Sequence, residues 1–388
     1  MRADMQISFS CFLAGMPCLI VVLKPHASRA APGATMPHSP ALPVIDISLL
    51  DGSTEQRQQL LQQLRGAARD HGFFYLVGHG IAADKVTALR QAARAFFALP
   101  EADKLAIDME NSPHFRGYTR AGEERTRGAA DWREQLDIGA ERPPRPDLAA
   151  QGPWWRLQGP NQWPTALPQL KPVLLDWQQE TTRLSIRLLR AFAEALQQPV
   201  DIFDAAFVEA PVQHLKIIRY PGSRQGAAGQ GVGPHKDGGF LTLLLQDDSQ
   251  DGLQVETEQG WLDAPSLPGS FIVNIGESLE MASDGYLRAN VHRVLSPPEG
   301  KDRLSVAFFL GPRLDATIPL LQLPAQLAAE ARGPEADPDN PLFYRIGDNY
   351  LKGRLRSHPK VAVRHHADLL SPQALQAASL PTSAGEYA

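Results

Sequence analysis

The sequence predicts an α+β protein in which helices come first and an antiparallel β core follows towards the C-terminus. Before residue 200, three segments carry apolar side chains at every third or fourth position, the spacing of helices that pack on one face. Between residues 213 and 310, short apolar runs recur about every ten residues, separated by Gly, Pro and Asp. Strands at this spacing are typical of an antiparallel sandwich or barrel rather than of a parallel sheet.

Each element has its own signal along the chain. The helices are expected at 54–70, 83–99 and 173–197. Two early strands are expected at 42–47 and 72–78, the second bounded by glycines. The strands of the β core are expected at 214–220, 240–246, 252–255, 261–264, 270–276, 289–294 and 304–310. The segment 111–172 contains four of the six tryptophans and is predicted to form loops that cover a functional site.

Composition and charge narrow the class of protein. The chain has 388 residues, 43% hydrophobic and 21% charged, as expected for a soluble globular protein that buries a core. Its net charge of −5 offers no basic surface for nucleic acid or for an anionic membrane, so we expect a small-molecule substrate. The sequence does not indicate an oligomeric state. We divide the chain into an extension (1–36), an N-terminal region (42–200), a β core (211–320) and a C-terminal cap and tail (321–388).

The first 36 residues differ from the rest. Residues 7–23 are apolar and are followed by Lys24 and by small residues at 27–31, the pattern of a secretory signal peptide. The alternative is that this segment does not belong to the folded protein and that translation starts at Met36. In that case we expect a cytoplasmic protein. The only two cysteines, Cys11 and Cys18, lie in this segment, so the remainder of the chain has no thiol chemistry.

A possible metal site begins with His235 and Asp237, which come just before an apolar, strand-like run. Side chains at positions i and i+2 of a strand point to the same face, so this pair would supply two adjacent ligands. A third ligand is expected on a strand that faces them, and His292, several strands further along, meets that condition. Two histidines and one carboxylate leave coordination sites open and are typical of non-haem Fe(II) oxygenases.

The glycine-rich loop 222–233 precedes this pair of ligands. A phosphate-binding loop must lead into the N-terminus of a helix, whereas this loop leads into Pro234 and a strand. We therefore exclude a nucleotide-binding fold and predict a mobile lip beside the site.

An arginine and a serine two positions apart, Arg303 and Ser305, open the last apolar run of the β core. In a strand the two side chains would share one face. A guanidinium in the interior of a barrel is costly unless it meets a carboxylate, so the pair predicts the binding of an anionic group.

The order His-x-Asp, His and Arg-x-Ser resembles the Fe(II)/2-oxoglutarate-dependent oxygenases, in their isopenicillin N synthase-like branch. The resemblance covers residues 42 to 370 and includes five further motifs: Pro43–Asp46, Gly72–Gly80, Arg219–Pro221, Asn274–Gly276 and Gly347–Leu351. It implies a double-stranded β-helix, or jelly-roll, core with flanking α-helices. It also implies oxidative decarboxylation of 2-oxoglutarate to succinate and CO₂, coupled to oxidation of a small organic substrate by O₂.

The resemblance assigns a role to each motif residue. Fe²⁺ would be held by three ligands: His235, Asp237 and His292. The distal carboxylate of 2-oxoglutarate would be held by three other side chains: Arg303, Ser305 and Tyr220.

Four residues are candidates for contact with the substrate. The segment around Glu124 and Thr126 is similar to one in bacterial ethylene/succinate-forming oxygenases, where a Glu and a Thr two apart contact L-arginine. Arg356 and Phe309 correspond to an arginine and a phenylalanine of that substrate pocket. The similarity predicts an enzyme that acts with L-arginine and forms ethylene.

Two alternatives remain open at this point. An oxidase similar to isopenicillin N synthase would use the same ligand triad without 2-oxoglutarate. A jelly-roll protein that binds or senses a ligand without turnover would belong to a different class.

Overall fold

The computed structural model describes residues 42–224, 229–247, 250–335, 337–338, 340–373 and 375. The signal-like segment 1–36 and residues 225–228 of the glycine-rich loop lie outside the described residues. The predictions about them therefore remain predictions.

The helices lie mainly before the β core and after it. They are α1 (Thr54–Asp70), α2 (Ala83–Phe97), α3 (Glu101–Leu105), α4 (Leu170–Ala195), α5 (Asp204–Phe207), α6 (Glu277–Ala282), α7 (Ala325–Ala328), α8 (Ile346–Ser357) and α9 (Pro359–His366). Helix α1 begins with a capping box, because the Ser53 hydroxyl accepts from the Gln56 N–H and the Gln56 side chain accepts from the Ser53 N–H. The three predicted helices are confirmed as α1, α2 and α4, and α4 begins at Leu170 rather than at 173.

The strands form two main sheets and one small ribbon. They are β1 (Val44–Asp46), β2 (Phe73–Val77), β3 (Gly117–Thr119), β4 (Arg125–Thr126), β5 (Ala129–Ala130), β6 (Glu134–Ile138), β7 (Val212–Pro221), β8 (Gln230–His235), β9 (Leu241–Gln246), β10 (Leu253–Thr257), β11 (Gly260–Asp263), β12 (Phe271–Ile275), β13 (His292–Leu295) and β14 (Asp302–Gly311). The large sheet has the order β1-β2-β12-β9-β14-β7-β6-β3, the small sheet has the order β11-β10-β13-β8, and β4 pairs with β5. Apart from the parallel pair β1–β2, the neighbours are antiparallel. This is the double-stranded β-helix core with flanking helices that the resemblance implies.

The two faces of the large sheet carry different residues. Along β14, one set of alternate side chains packs with the helices in an apolar core: Leu304, Val306, Phe308 and Leu310. The other set faces the small sheet, with Ala307 and Phe309 packed against Val232, Val255 and Val294. Because successive side chains of a strand point to opposite faces, Arg303 and Ser305 lie on the inner face as well. The interior between the sheets is where functional groups can meet.

Three details of the strands differ from the sequence prediction. Strand β8 occupies part of the segment that was predicted as a glycine-rich loop, and β6 lies in the segment predicted as loops. Asp237 does not share a strand with His235, because β8 ends at His235 and the chain turns through Gly238 and Gly239. That prediction was wrong, because a backbone clamp fixes the turn: the Glu277 N–H donates to the Asp237 carbonyl at 2.7 Å.

The C-terminal helices close the interior at one end. Helices α8 and α9 pack through Leu351 and Val361 on a third apolar cluster that contains Phe115, Trp154 and Trp155. This cluster joins the tryptophan-containing segment to the C-terminal helices. That the segment covers a functional site remains a prediction. No helix in the described parts of the chain is long and apolar enough to cross a membrane.

Candidate metal and co-substrate site

His235, Asp237 and His292 meet between the two sheets. Their ligand atoms all lie within 4.8 Å of one another, and within the described residues they form the one such group of three. His292 on β13 pairs directly with His235 on β8, and the centroids of the two rings lie 4.2 Å apart. The Nε2 atoms of His235 and His292 lie 3.6 and 3.9 Å from Asp237 Oδ1. Three donor atoms thus converge on one point, as the sequence predicted.

Hydrogen bonds to the remaining polar atoms hold these side chains in place. His235 Nδ1 contacts the Gly233 carbonyl at 2.8 Å, and His292 Nδ1 contacts the Asn290 carbonyl at 3.3 Å. These contacts assign the proton of each ring to Nδ1 and leave Nε2 free to bind a metal.

The carboxylate ligand is oriented in the same way. Asp237 Oδ2 accepts from the Thr242 hydroxyl at 2.6 Å and from the Asn274 amide at 2.8 Å, which leaves Oδ1 for the metal. Sequence reasoning placed Asn274 only in a family motif and missed Thr242 in this role. Its signal was a lone threonine in an otherwise aliphatic strand.

The protonation states suit a metal site. Burial lowers the pKa of His292 to about 4, and burial also lowers the pKa of His235. Burial acts to raise the pKa of Asp237, but the two histidines and the hydrogen bonds from Thr242 and Asn274 outweigh it and lower that pKa. Two neutral imidazoles and an ionised carboxylate are the forms that bind a divalent metal, and this donor set fits Fe²⁺.

Arg303 and Ser305 form the second part of the site. Arg303 is fully buried on β14, and its Nη2 donates to Gln246 Oε1 at 2.7 Å. Arg303 Nε and Nη1 and the Ser305 hydroxyl have no hydrogen-bond partner among the described residues. Tyr220 lies directly opposite Arg303 on β7, with the guanidinium carbon 5.0 Å from its ring centroid. Sequence reasoning did not single out Gln246.

The unpartnered donors test whether a carboxylate ligand fits. Burial lowers the pKa of Arg303, which means that the protein interior disfavours its charge. An ionised carboxylate could accept from one of these free guanidinium donors and from the Ser305 hydroxyl, and its charge would offset that of the buried guanidinium. The site therefore fits the distal carboxylate of 2-oxoglutarate.

A second group of charged side chains lies on the inner face beyond the triad. Glu124 is buried and accepts from Lys216 Nζ at 2.9 and 3.2 Å and from Arg133 Nη2 at 2.8 Å. Asp137 on β6 accepts from His214 Nε2 at 2.7 Å and from Arg354 Nη1 at 3.1 Å. We call these six residues together with His358 the interior charge cluster.

Burial and mutual pairing set the protonation states of this cluster. Burial acts to raise the pKa of Glu124, but Arg133, Lys216 and His358 hold it well below its usual range. Burial lowers the pKa of His358 to about 4 and that of His214 to about 3. The carboxylates are therefore ionised at neutral pH, and the imidazoles are neutral.

The four predicted substrate residues fall in different places. Glu124 belongs to the interior charge cluster, and Phe309 stacks on His214 with ring centroids 5.2 Å apart. Thr126 donates to Asp131 Oδ2 at 2.7 Å at the edge of that cluster. Arg356 is exposed on α8 and donates to Asn340, so the structure does not bring it together with the others.

Six members of the interior charge cluster were missed as functional candidates: Lys216, Arg133, Asp137, His214, Arg354 and His358. A signal existed for two of them, because His214 and Lys216 alternate with Leu215 and Ile217 along β7. Polar side chains at alternate positions of a central strand point to one face, and here that face is the interior.

Comparisons with known proteins agree with this geometry. Residues 42–166 match the family model described as non-haem dioxygenase in morphine synthesis N-terminal, and residues 211–312 match the model of the 2OG-Fe(II) oxygenase superfamily. The chain is 37% identical over 83% of its length to the 2-oxoglutarate-dependent dioxygenase frbJ of Dothideomycetidae sp. (strain 11243), covering 90% of that protein. It is 35% identical over 76% of its length to the homoarginine-6-hydroxylase 2-ODD-C23.1 of Arabidopsis thaliana, covering 91% of it.

Solved structures give the same picture. A full-length Neurospora crassa protein, solved in complex with alpha-KG and 5-formyluracil, is similar with a TM-score of 0.65 and 25% identity, over 81% of this chain and 96% of that one. JOX2 in complex with 2OG, Fe and JA is similar with a TM-score of 0.63 and 25% identity, over 88% of this chain and 90% of that one.

Proposed function

The chain belongs to the 2OG-Fe(II) oxygenase superfamily, and from this premise we propose that it hydroxylates a small amino acid that carries a guanidinium group. It is a 2-oxoglutarate-dependent dioxygenase, an oxidoreductase that uses Fe²⁺, 2-oxoglutarate and O₂. One observation gives the strongest support for the reaction type. The ligand triad is complete, and the buried donors of Arg303 and Ser305 have no hydrogen-bond partner among the described residues.

The residues of the site divide the work of holding the reactants. His235, Asp237 and His292 would hold Fe²⁺, and Arg303, Ser305 and Tyr220 would hold the distal carboxylate of 2-oxoglutarate. When bound, Fe²⁺ and 2-oxoglutarate would supply the oxidising chemistry. One oxygen atom of O₂ would enter succinate and the other the product, with loss of CO₂.

The protein's own contribution is fixed geometry and a dry interior. Thr242 and Asn274 orient Asp237, and the carbonyls of Gly233 and Asn290 orient the two imidazoles. Ala307 and the apolar side chains of the small sheet fill the space around these groups and exclude water. No side chain of the site needs to transfer a proton in the oxidative step.

The substrate class is supported by one buried carboxylate and by the relatives. Glu124 is ionised inside the protein, and Lys216 and Arg133 account for three contacts of a group that accepts about four hydrogen bonds. The neighbouring His358 Nε2 lies 3.7 Å from Glu124 Oε1 and has no hydrogen-bond partner among the described residues. A substrate guanidinium could donate to the remaining acceptor of Glu124. Homoarginine-6-hydroxylases of Arabidopsis thaliana and rice are among the relatives at 34–35% identity.

The alternatives from the sequence fare differently. Membership of the superfamily decides for an enzyme over a binding protein without turnover. The unpartnered Arg303 argues against an oxidase that dispenses with 2-oxoglutarate. Ethylene formation with L-arginine remains a prediction and is one outcome of the following experiment.

The experiment measures succinate formed by the full chain with Fe²⁺, 2-oxoglutarate and O₂, with and without an added amino acid. We expect L-homoarginine or L-arginine to stimulate succinate formation and to gain one oxygen atom by mass spectrometry. L-Lysine, which lacks the guanidinium, should stimulate it far less.

The control variant His235→Ala should form no succinate, because it removes a metal ligand. Stimulation by L-lysine equal to that by L-homoarginine would contradict the substrate class. Ethylene in the headspace with L-arginine would instead support the ethylene-forming prediction.

A further inference from the structure

A small cavity lies at the end of the inner face opposite Arg303. It has a volume of about 50 Å³, and its walls include Arg116, Arg142 and Arg354 together with His214 and Tyr350. This is room for one small group, such as a carboxylate, rather than for a whole substrate.

The charges around this cavity are unbalanced. Among the described residues that line it there is no carboxylate, whereas three guanidinium groups converge on it. Burial and the repulsion from Arg354 and Arg142 lower the pKa of Arg116 to about 9, in spite of the attraction of Asp137 and Glu141. These like charges in a partly dry space disfavour one another unless an anion joins them.

Two carboxylates lie near the cavity, but neither of them lines it. Asp137 accepts from His214, Arg354 and Gln135, and it lies behind the cavity wall. Glu141 is exposed and accepts from Asn161 and Trp163. Asp137 therefore neutralises Arg354, whereas Arg116 and Arg142 form no ion pair among the described residues.

The cavity presents donors without partners. Arg116 Nε and the Tyr350 hydroxyl are buried and have no hydrogen-bond partner among the described residues. Arg116 donates otherwise only to the carbonyls of Phe115 and Leu157, and Arg142 donates to the carbonyl of Pro211 and to a side-chain amide. These are weak neutral acceptors, which a bound anion could supplement.

The cavity is next to the reaction centre. His214 lies in its wall and stacks on Phe309, and Phe309 pairs across the sheet with Thr242, the hydroxyl donor to the metal ligand Asp237. The Tyr350 hydroxyl lies close to the turn after that ligand, since a Cβ built on Gly239 would be 3.1 Å from it. Along β7, His214 and Tyr220 are six residues apart, which is about 20 Å in a strand. The arginine that would hold 2-oxoglutarate and the cavity therefore lie towards opposite ends of β7.

We propose that this cavity is the anchor for a carboxylate of the substrate, held by Arg116, Arg142 and Arg354 at the end of the interior opposite the 2-oxoglutarate carboxylate. This inference rests on the proposed function, because it supplies the second contact for an amino acid whose guanidinium faces Glu124. Two anchors at separate places would fix which carbon of the substrate faces the metal.

The first test compares turnover of L-homoarginine with that of its descarboxy analogue, measured as succinate formed by the full chain. We expect Arg142→Gln and Arg116→Gln to raise the KM for L-homoarginine at least about tenfold, the effect of losing a charge-assisted hydrogen bond. Both variants should leave the KM for 2-oxoglutarate and the turnover of the descarboxy analogue unchanged. Arg142→Lys should restore part of the affinity.

The matched control is Arg156→Gln. Arg156 lies between the lining residues Trp155 and Leu157, but it points outward to Asp368, and it should behave as the wild-type protein. An unchanged KM for L-homoarginine in both Arg142→Gln and Arg116→Gln would overturn the carboxylate anchor while leaving the proposed function intact.

The second test needs no turnover and separates the two proposals. Tryptophan fluorescence is titrated with sodium acetate at constant ionic strength, with acetamide as the neutral match, because Trp155 lines the cavity. We expect a saturable change with acetate only, present in Arg156→Gln and lost in Arg142→Gln and Arg116→Gln. If L-homoarginine is not oxidised but acetate binds in this way, the anchor stands and the guanidino substrate is wrong. Equal titrations by acetate and acetamide, or unchanged acetate binding in the variants, would overturn the anchor.

Discussion

The inner face of the large sheet carries two charged regions, and they differ in whether their buried charges are paired within the protein. Around Arg303, a fully buried guanidinium donates from Nη2 to Gln246, while its Nε and Nη1 have no hydrogen-bond partner among the described residues. In the interior charge cluster, Lys216 and Glu124 neutralise each other at 2.9 Å. The charge of the first region has no protein counter-charge and needs a ligand, whereas the charges of the second pair with each other and leave Glu124 one acceptor site for a substrate.

This difference indicates what each region is for. A donor group left unpaired in a dry interior costs free energy that only a ligand of matching charge recovers, so the Arg303 region is built for a fixed anionic co-substrate. In the interior charge cluster the charges are already paired, so Glu124 and Asp137 stay ionised and stable before any substrate binds. Stability should therefore depend on the second region, and co-substrate affinity on the first.

The largest expected effect is on stability. Lys216→Met leaves Glu124 with one fewer cation in the interior and should lower the free energy of unfolding by about 3 kcal/mol. Arg303 pairs with no carboxylate, so Arg303→Met leaves no unpaired charge in the interior. It should change the free energy of unfolding by less than about 1 kcal/mol. Urea denaturation of the two variants measures the contrast.

A double variant sharpens this comparison. Lys216→Met with Glu124→Gln removes both charges and should recover part of the stability that Lys216→Met loses. Equal losses in Lys216→Met and Arg303→Met would mean that the two regions do not differ in the way described.

The next effect is on co-substrate affinity. Arg303→Lys replaces a planar fork of donors by a point charge and should raise the KM for 2-oxoglutarate about 10–100-fold. Ser305→Ala removes one hydroxyl donor and should raise it by less than about tenfold. Initial rates of succinate formation at varied 2-oxoglutarate give both values.

The exposed variant Arg313→Gln, which loses only a contact with Asp315, is the control and should keep the wild-type KM. A wild-type KM in Arg303→Lys would show that the unpartnered guanidinium does not hold the co-substrate.

The smallest effect is on the pH dependence of stability. The pKa of His358 is about 4 in the folded protein against an ordinary value of 6.5, so the unfolded chain binds more protons between these two values. Stability should therefore fall as the pH is lowered from 6.5 towards 4, with a contribution from His358 of about 1–2 kcal/mol at pH 5.

Urea denaturation at pH 7 and pH 5 tests this expectation. His358→Gln should lose less stability between these values than the wild-type protein, whereas His365→Gln, which removes an imidazole outside the cluster, should not differ from it. Identical pH profiles for His358→Gln and the wild-type protein would contradict the prediction.

The iron and 2-oxoglutarate residues were predictable because strand periodicity and a known order of motifs carry them. His235, Asp237, His292, Arg303 and Ser305 are few, chemically distinctive and placed at characteristic intervals. The prediction of a common strand for His235 and Asp237 failed, because Gly276 approaches so closely that a Cβ there would lie 2.1 Å from the Gly239 carbonyl oxygen. This close contact and the hydrogen bond from the Glu277 N–H to the Asp237 carbonyl together hold the turn after His235.

The substrate region was predicted less well. Glu124 was named, but its partners Lys216, Arg133 and His358 come from distant segments of the chain. Likewise, only the fold brings Asp137, His214 and Arg354 into contact. Arg356 was named because its position corresponds to a substrate-contacting arginine of similar enzymes, but the rotation of α8 points Arg356 outward and Arg354 inward. A shift of two positions on a helix moves a side chain by more than half a turn.

The sequence by itself determined the class of protein: an α+β jelly-roll chain with a metal triad and an anion-binding Arg-x-Ser pair. Local periodicity and residue chemistry predicted the antiparallel β core, the triad and the anion-binding pair, because ligands and strand faces obey short-range rules. The jelly-roll topology was implied by the resemblance to a known family. Only the tertiary structure decided which charges neutralise each other and which lack a partner among the described residues, because burial and ion pairing depend on segments distant in the chain. The contrast between Arg303 and Lys216, and the three arginines around one cavity, are properties of the fold.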